Sequence, residues 1–434
     1  MSSRSDHLAF AGATAAADAE PRSTLLARYR QIRATTEDLA APLSAEDQCI
    51  QSMPEASPTK WHLAHTTWFF ETVVLAALVT GYRPCDERFH YLFNSYYESL
   101  GPRQPRPGRG MITRPGLDEV RRYRGQVDQA MTRLIAGCDD ATWPRVNALI
   151  TLGLHHEQQH QELILTDIKH ALSCNRYDPV YSVAMAAPAT VPSLSWCDVR
   201  GGEIQIGHDG TGFAFDNESP RHAVLVQPCR LANRLTTCGE YLEFMIDGGY
   251  RRPEFWLHDG WNTACEQGWQ APLYWHHEGG QDWSLFTLHG RRAVDAAEPV
   301  CHVSLYEAAA FAAWAEARLP TEFEWEAAVA DLPVSGHFAD SGILHPRPAG
   351  SGTGLLQAYG DAWAWTRSSY DPYPGFRPLP GALGEYNGKF MVGQLVLRGG
   401  SCASPRGHLR GTYRNFFAPG ARWQFSGIRL ARDA

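Results

Sequence analysis

The stretch HHEQQHQELILTDIKH, residues 155–170, carries two histidines, His156 and His160, that are four positions apart. In a helix, residues four apart lie one turn apart on the same face, so two imidazoles at this spacing can bind one metal ion. Leu163, Ile164 and Asp167 continue this face, which predicts that it points into a helical bundle. Two buried histidines without partners would be unfavourable, and we therefore favour metal binding over two core histidines bonded to neighbours.

The surrounding sequence, residues 23–175, predicts a four-helix bundle. Residues 1–22 precede it as an Ala/Ser-rich tail that we expect to be flexible. Apolar residues at Val120, Val127, Met131 and Leu134 follow a period close to 3.6, which is typical of a helix with one buried face. The four helical segments are STLLARYRQIRATTEDL, SPTKWHLAHTTWFFETVVLAALVT, GLDEVRRYRGQVDQAMTRLIAG and ATWPRVNALITLGLHHEQQHQELILTDIKHAL.

The pattern changes after Ser173. A linker rich in Pro, Ala and Ser spans residues 176–196, and residues 197–434 alternate short β-like runs, such as GGEIQIG and GQLVLRGGS, with Gly/Pro/Asn turns. One clear helix, SLYEAAAFAAWAEARL, interrupts them. The sequence therefore predicts an α+β protein, with a helical bundle followed by a second domain rich in loops.

A third metal ligand is expected from SPTKWHLAHTTWFF, which supplies His62 and His65 on a second helix. Their spacing does not decide which of the two it is. HEQQH also fits the zinc-protease pattern HExxH, but the extended metzincin pattern fails because Leu163 and Thr166 replace its glycine and third histidine. No strand is predicted before residue 175 to carry a protease substrate. Three histidines with open positions suit Fe(II) that handles O2, or zinc with water.

Bulk composition excludes several classes of function. The net charge of −8 gives no reason to expect a nucleic-acid partner. The N-terminal residues lack the apolar h-region and basic start of a signal peptide, and no uncharged apolar run of about 18 residues occurs, so we expect no membrane span. The ten cysteines contain no CxxC pair, which indicates reduced thiols in a cytoplasmic protein.

Several motifs together resemble the ergothioneine-pathway sulfoxide synthases, non-haem iron enzymes that join a sulfur compound to hercynine with O2. The resemblance covers about residues 25–432. It implies a DinB-like helical bundle followed by a domain with the formylglycine-generating-enzyme fold, a variant of the C-type lectin fold. The motifs are SPTKWHLAHT, HHEQQHQELILTD, GDAWAWTRSSYDPYPGF, LRGGSCASP and YRNFFAPGARWQFSGIRLARD.

This resemblance implies a ligand set for Fe(II) and a set of substrate-binding residues. The implied iron ligands are His65, His156 and His160. Arg103 and Arg106 match arginines that hold the carboxylate of the sulfur substrate, and arginine forks suit carboxylates. Aromatic faces bind trimethylammonium cations such as that of hercynine. The remaining residues that match substrate contacts are Gln159, Tyr370, Tyr373, Asn415, Phe416 and Phe417.

A tyrosine near the iron is expected to supply protons or electrons, and two positions compete for this role. Tyr370 is one, and the pair Tyr96 and Tyr97 in LFNSYYE is the other. We favour the pair as catalytic residues.

The resemblance predicts an O2-dependent hercynylcysteine S-oxide synthase that uses cysteine or γ-glutamylcysteine as the sulfur donor. An ovothiol-type enzyme that couples cysteine to histidine is a competing hypothesis. Such enzymes usually carry a methyltransferase domain, for which we see no room after SGIRLARD. A DinB-like zinc-dependent thiol transferase or hydrolase is a further hypothesis, and a lectin-like binding protein without catalysis is the last.

Overall fold

The structure, a computed structural model, describes residues 19–183, 190–280 and 282–434. Most of the tail expected to be flexible, residues 1–18, and part of the expected linker, residues 184–189, lie outside the described residues. The chain forms two compact units. Of the described residues, the first unit contains 19–174, 210–216 and 377–389, and the second contains those within 175–209, 217–376 and 390–434.

The first unit is built from helices, as the sequence predicts. Four of the helices are long and one is short: α1 Arg22–Ala40, α2 Thr59–Phe69, α3 Arg88–Phe93, α4 Leu117–Gly137 and α5 Trp143–Ser173. Helix α2 continues through a π-helical segment, Phe70–Leu75, and a last turn, Ala76–Leu78. The buried face of α4 includes Val120, Val127, Met131 and Ile135, all without exposed surface. This spacing of about 3.6 residues explains why the segment folds as a helix against the core.

A close approach between α5 and the π-helical segment sets the position of the HEQQH turn. A Cβ atom at Gly153 would lie 2.5 Å from Cε1 of Phe70, so only glycine allows this packing without movement of the ring. The neighbouring Phe69 ring lies 4.4 Å from the ring of His156. The packing around Gly153 therefore holds the part of α5 that carries the histidines.

In the part of the second unit that the structure describes, short strands alternate with four helices. The helices are α6 Cys238–Ile246, α7 His258–Gln267, α8 Leu305–Trp314 and α9 Glu322–Val329. Three of them begin with a capping box, in which a Ser or Thr hydroxyl accepts the N–H of a glutamate three residues later, and that glutamate accepts an N–H in return. The capping pairs are Thr237 with Glu240, Ser304 with Glu307 and Thr321 with Glu324.

Twelve strands in the described residues form four small sheets. They are β1 Trp196–Val199, β2 Gly202–Ile206, β3 His222–Val226, β4 Cys229–Ala232, β5 Trp275–Gly279, β6 Asp282–Thr287, β7 Gly290–Ala293, β8 Trp363–Ser369, β9 Leu395–Arg398, β10 Asn415–Phe417, β11 Ser426–Gly427 and β12 Ala431–Asp433. The sheets have the orders β1-β4-β12, β2-β3, β5-β6-β7 and β10-β9-β8-β11. The pairing of β8 with β11 is parallel and the others are antiparallel. The predicted mixture of helices and strands is confirmed.

Two further findings concern the whole described chain. Across the residues that the structure describes, no helix has the length and apolar character needed to cross a membrane. All ten cysteines lie within these residues, and none of them forms a disulfide.

Candidate functional site

Three buried histidines of the first unit form a cluster with the geometry of a metal site. His65 comes from α2, and His156 and His160 come from α5. One ring nitrogen from each lies within 4.8 Å of the other two. Their side chains are almost without exposed surface, at 0%, 1% and 8%. The structure thus brings together the three histidines that the resemblance implied as ligands.

Hydrogen bonds and orphaned atoms show that this cluster fits a metal ion. Nδ1 of His65 lies 2.6 Å from the carbonyl oxygen of Phe93, which can only accept, so this nitrogen carries the proton and Nε2 carries the lone pair. That Nε2 lies 3.2 Å from Nε2 of His156, whose Nδ1 has no hydrogen-bond partner among the described residues. Two nitrogens bound side by side to one metal at about 2.1 Å are roughly 3 Å apart, so a cation fits between them.

The electrostatic environment keeps the three imidazoles neutral. Burial is the largest cause that lowers the pKa of His65 and of His160 well below the ordinary value, and the neighbouring histidines lower both further. Burial likewise lowers the pKa of His156 to about 3. Neutral imidazole is the form that binds a metal, so the cluster is in its ligand form at neutral pH.

Glu157, the glutamate of the HExxH pattern, is not placed to act on a metal-bound substrate. Its side chain is completely buried, and both carboxylate oxygens pair with arginines. The Oε2 atom lies 3.0 Å from Nη1 of Arg33, and Oε1 lies 3.2 Å from Nη2 of Arg124. A zinc protease needs this carboxylate as a general base near the metal-bound water. The protease interpretation of HEQQH is therefore not supported.

The two tyrosines expected to be catalytic lie in the tyrosine loop, which we define as residues 94–101. Tyr97 is fully buried and its ring centroid is 5.8 Å from that of Trp68, which in turn stacks on His65 at 5.6 Å. Tyr96 is half-buried, with its ring 4.8 Å from Tyr97. Desolvation raises the pKa of both phenols well above the ordinary value. Both therefore keep their protons at neutral pH and are able to donate them.

A distant segment of the chain, residues 377–389, holds the tyrosine loop in place. The carboxylate of Glu385 accepts the backbone N–H groups of Glu98 and Ser99 at 2.9 and 3.0 Å, and it accepts the Ser99 hydroxyl as well. Lys389 donates to the carbonyl oxygen of Tyr96 and pairs with Glu385. These contacts fix the backbone beside Tyr96.

Tyr386 of the same segment is a residue near the histidines that the sequence interpretation missed. Its ring centroid is 5.7 Å from His156 and 6.0 Å from Tyr96, and its ring stacks on Phe215 at 5.5 Å. Neither periodicity nor spacing connects GEYNGKF with the HEQQH helix. The residue type of Tyr386 was the one available signal, and it does not indicate a position near the histidines.

Three residues expected to contact substrates, among them the two arginines expected to bind the sulfur substrate, lie in the same unit. Arg103 pairs with Glu98 at 2.6 Å, and Arg106 is exposed and donates to the carbonyl oxygen of Glu55. Gln159 is half-buried on α5, between the positions of the two histidine ligands. None of these three side chains is fully buried, so each can be reached by a solute.

Arg109 follows Arg103 and Arg106 in the segment of residues 103–109, and it is buried beside the histidine cluster. Its guanidinium lies 3.5 Å from the ring centroid of Trp61, and that ring stacks on His65 at 4.5 Å. It donates to the hydroxyls of Ser57 and Ser95 at 2.9 and 3.1 Å. Burial, helped by the nearby cations, lowers the pKa of Arg109 to about 8. A loop of three arginines in the sequence gave no sign of which one is buried.

In the second unit, Tyr370 and Phe416 form an aromatic stack. Their ring centroids are 4.0 Å apart and the ring planes differ by 10°. The Tyr370 hydroxyl accepts a hydrogen bond from Nδ2 of Asn217 at 2.9 Å, and the guanidinium of Arg414 lies 5.0 Å from its ring. The structure thus brings these two expected pocket residues into direct contact.

The remaining expected pocket residues have different surroundings. Tyr373 donates to Oε2 of Glu322 at 3.3 Å, inside a buried ionic network. Asn415 and Phe417 lie on β10 at alternate positions to Phe416, so their side chains point to the opposite face of the strand. Phe417 contacts Trp423, with ring centroids 5.7 Å apart.

Comparisons with known proteins match both units. The model of the DinB superfamily matches residues 28–164, and the model of the sulfatase-modifying factor enzyme 1-like domain matches residues 182–347 and 333–434. The hercynine oxygenase of Mycolicibacterium smegmatis is 36% identical over 314 residues, which cover 65% of this chain and 71% of the relative. The hercynine oxygenase of Mycolicibacterium thermoresistibile is 34% identical over 88% of both chains. That of Mycobacterium tuberculosis is 33% identical over 414 residues, or 89% of this chain and 93% of the relative. This chain therefore belongs to the hercynine oxygenase family.

Proposed function

We propose that this chain is an O2-dependent non-haem Fe(II) sulfoxide synthase of ergothioneine biosynthesis. It joins the sulfur of cysteine or γ-glutamylcysteine to the imidazole ring of hercynine. One C–H and one S–H bond break, a C–S bond and an S–O bond form, and the second oxygen atom of O2 leaves as water. The observation that carries the proposal is the buried cluster of three neutral histidines in a chain of this family.

His65, His156 and His160 hold the Fe(II). When bound, the ion supplies the redox capacity to reduce O2 and the open positions at which the substrates meet. The protein contributes three neutral ligands, which leave the positive charge of the ion uncompensated. It also contributes a buried site that limits the access of water.

Tyr96 and Tyr97 control protons during the reaction. Both phenols are protonated at neutral pH, so a proton is available when oxygen is reduced. Donation at this stage favours the sulfoxide over simple oxidation of the thiol. Glu385 and Lys389 support this role because they fix the backbone of the tyrosine loop.

The substrate sites use charge and aromatic faces. Arg103 and Arg106 bind the carboxylate of the thiol substrate. Arg103 leaves its ion pair with Glu98 to do so. Gln159 contacts a substrate on the face of α5. The trimethylammonium group of hercynine binds aromatic rings, with Asn415 as a polar partner. The proposed aromatic residues are Tyr370, Tyr373, Phe416 and Phe417.

We assign the protein to the cytoplasm, because none of its ten cysteines is in a disulfide. Its partners are then small molecules: hercynine, the thiol and O2.

The test is to load the metal-free protein with Fe(II) without oxygen, add hercynine and one of the two thiols, admit air, and identify the products by mass spectrometry. We expect a hercynine–thiol sulfoxide with one of the donors and none from His156→Ala. Zinc-loaded protein is the matched control and should be inactive, since Zn²⁺ has no redox chemistry. Equal activity with zinc, or no O2 uptake from iron-loaded folded protein, would refute the proposal.

A further inference from the structure

A hydrogen-bonded chain of buried side chains reaches one of the three histidines of the metal site. Oδ2 of Asp167 lies 3.1 Å from Nε2 of His62, and Nδ1 of His62 lies 2.8 Å from Nδ1 of His160. His62 comes from α2 and the other two from α5. All three side chains are at most 8% exposed. Water therefore competes little for these contacts, and their geometry determines where the protons lie.

The direction of each hydrogen bond follows from the groups at the end of the chain. Oδ2 of Asp167 also accepts the backbone N–H of Ser57 at 2.8 Å. A backbone N–H can only donate, so this oxygen faces donors, and Nε2 of His62 carries the proton that it shares with Asp167. Neutral His62 then presents a lone pair at Nδ1. The proton between the two rings consequently belongs to Nδ1 of His160.

We infer that His62 and Asp167 are positioning residues for the metal centre, because together they hold His160 as the tautomer that is protonated at Nδ1. In this tautomer the lone pair of His160 is at Nε2, where it is available to the metal ion. The inference rests on the metal centre of the proposed function, and it is independent of which substrates the enzyme uses.

Among the described residues, neither of the two other ligands has a side chain bonded to its Nδ1 in this way. The carbonyl oxygen of Phe93 fixes His65 in the same tautomer, whereas Nδ1 of His156 has no partner among the described residues. His62 itself is outside the group of mutually close ligand atoms that the described residues form. The two histidines of WHLAH thus divide the work, with His65 as a ligand and His62 as the partner of a ligand. Partners of this kind orient the ring and raise its basicity.

The first test measures the affinity for Co(II), an optical probe for the Fe(II) site, by anaerobic titration of the metal-free full-length protein. His62→Leu removes the acceptor for His160, and we expect Co(II) binding to weaken roughly 10- to 100-fold. His62→Asn places an amide oxygen near the former Nδ1 position, and it should restore most of the affinity. His170→Leu is the matched control, because it removes a histidine on α5 whose Nδ1 contacts Ser52 at 2.7 Å. Wild-type affinity in His62→Leu, or an equal loss in the control, would overturn the inference.

The second test reads the tautomer in the unchanged metal-free protein, and a variant serves only to assign the signals. Nitrogen NMR of protein with isotope-labelled histidine should show His160 protonated at Nδ1 and bare at Nε2, with its signals assigned by their loss in His160→Gln. A proton at Nε2 would overturn the inference.

These tests separate the inference from the proposed function. Protein that binds Co(II) and has the expected tautomer but makes no sulfoxide would refute the function and leave the role of His62 standing. Protein that makes sulfoxide while His62→Leu binds Co(II) as tightly as wild type would refute the role of His62 alone.

Discussion

The substitution Glu157→Gln tests whether HEQQH is a structural or a catalytic motif. In the sequence, Glu157 occupies the position of the general base of a zinc protease. In the structure, its carboxylate instead pairs with two buried arginines. Glutamine has nearly the same shape, so the change removes charge and one acceptor without creating a cavity. One amide oxygen can still accept from one arginine, while the amide NH2 group meets the N–H of the other.

The contacts of the two arginines set the magnitude of the effect. Removal of one member of a buried ion pair costs about 3–5 kcal/mol when it leaves a charge uncompensated. Here each arginine keeps a second carboxylate, Asp128 for Arg33 at 2.7 Å and Glu37 for Arg124. The remaining cost is one lost charge-assisted hydrogen bond and one donor that faces another donor, which amounts to about 3 kcal/mol in the free energy of unfolding.

Urea unfolding, followed by circular dichroism, measures this difference. Glu46→Gln is the matched control, because it makes the same change at an exposed position of the same unit, and it should alter stability by less than about 0.5 kcal/mol. Folded Glu157→Gln should bind Co(II) like the wild type and retain its turnover per folded molecule. Wild-type stability combined with a loss of turnover of about 100-fold or more, the size of a general-base effect, would show that Glu157 is a catalytic base instead.

Individual contacts elsewhere lead to three more predictions. Gly153→Ala forces a Cβ atom to 2.5 Å from the Phe70 ring and should destabilise the protein by about 1–3 kcal/mol in urea unfolding; unchanged stability would show that the ring moves without cost. Burial raises the pKa of Asp361 to about 7, so the folded protein holds a proton that the unfolded chain has lost, and stability falls as the pH rises from about 4 to 7. Asp361→Asn should therefore equal the wild type near pH 4 and exceed it by up to about 4 kcal/mol at pH 8, and a difference that does not change with pH would contradict this. Glu385→Ala removes the acceptor for two N–H groups of the tyrosine loop and should lower sulfoxide formation at least about 10-fold with Co(II) affinity unchanged; equal losses of both would indicate general unfolding instead.

The helices and the histidine pair could be predicted from the sequence because both depend on local periodicity. A helix puts residues four apart on one face whatever the rest of the chain does, and the apolar stripe of α4 required only a core to pack against. Periodicity alone does not, however, predict the burial of every residue of this helix. The expected position Leu134 is half-buried, while its neighbour Ile135 is fully buried.

The surroundings of the metal site could not be predicted in the same way, because they depend on contacts between distant segments. Spacing left His62 and His65 equivalent, and only the contacts with Phe93 and His160 distinguish them. The inclusion of residues 377–389 in the first unit brings Tyr386 and Glu385 to the histidine cluster and the tyrosine loop. Irregular segments of this kind have no period that records their packing partner.

The origin of the sulfoxide oxygen tests O2-dependent synthesis at the three-histidine centre most directly. Iron-loaded protein should be given hercynine, the accepted thiol and isotopically heavy oxygen gas, and the product mass should be measured beside that from His156→Ala. We expect one heavy oxygen atom in the wild-type product and no product from the variant. A product without heavy oxygen, or the same product from His156→Ala, would contradict sulfoxide formation from O2 at this centre.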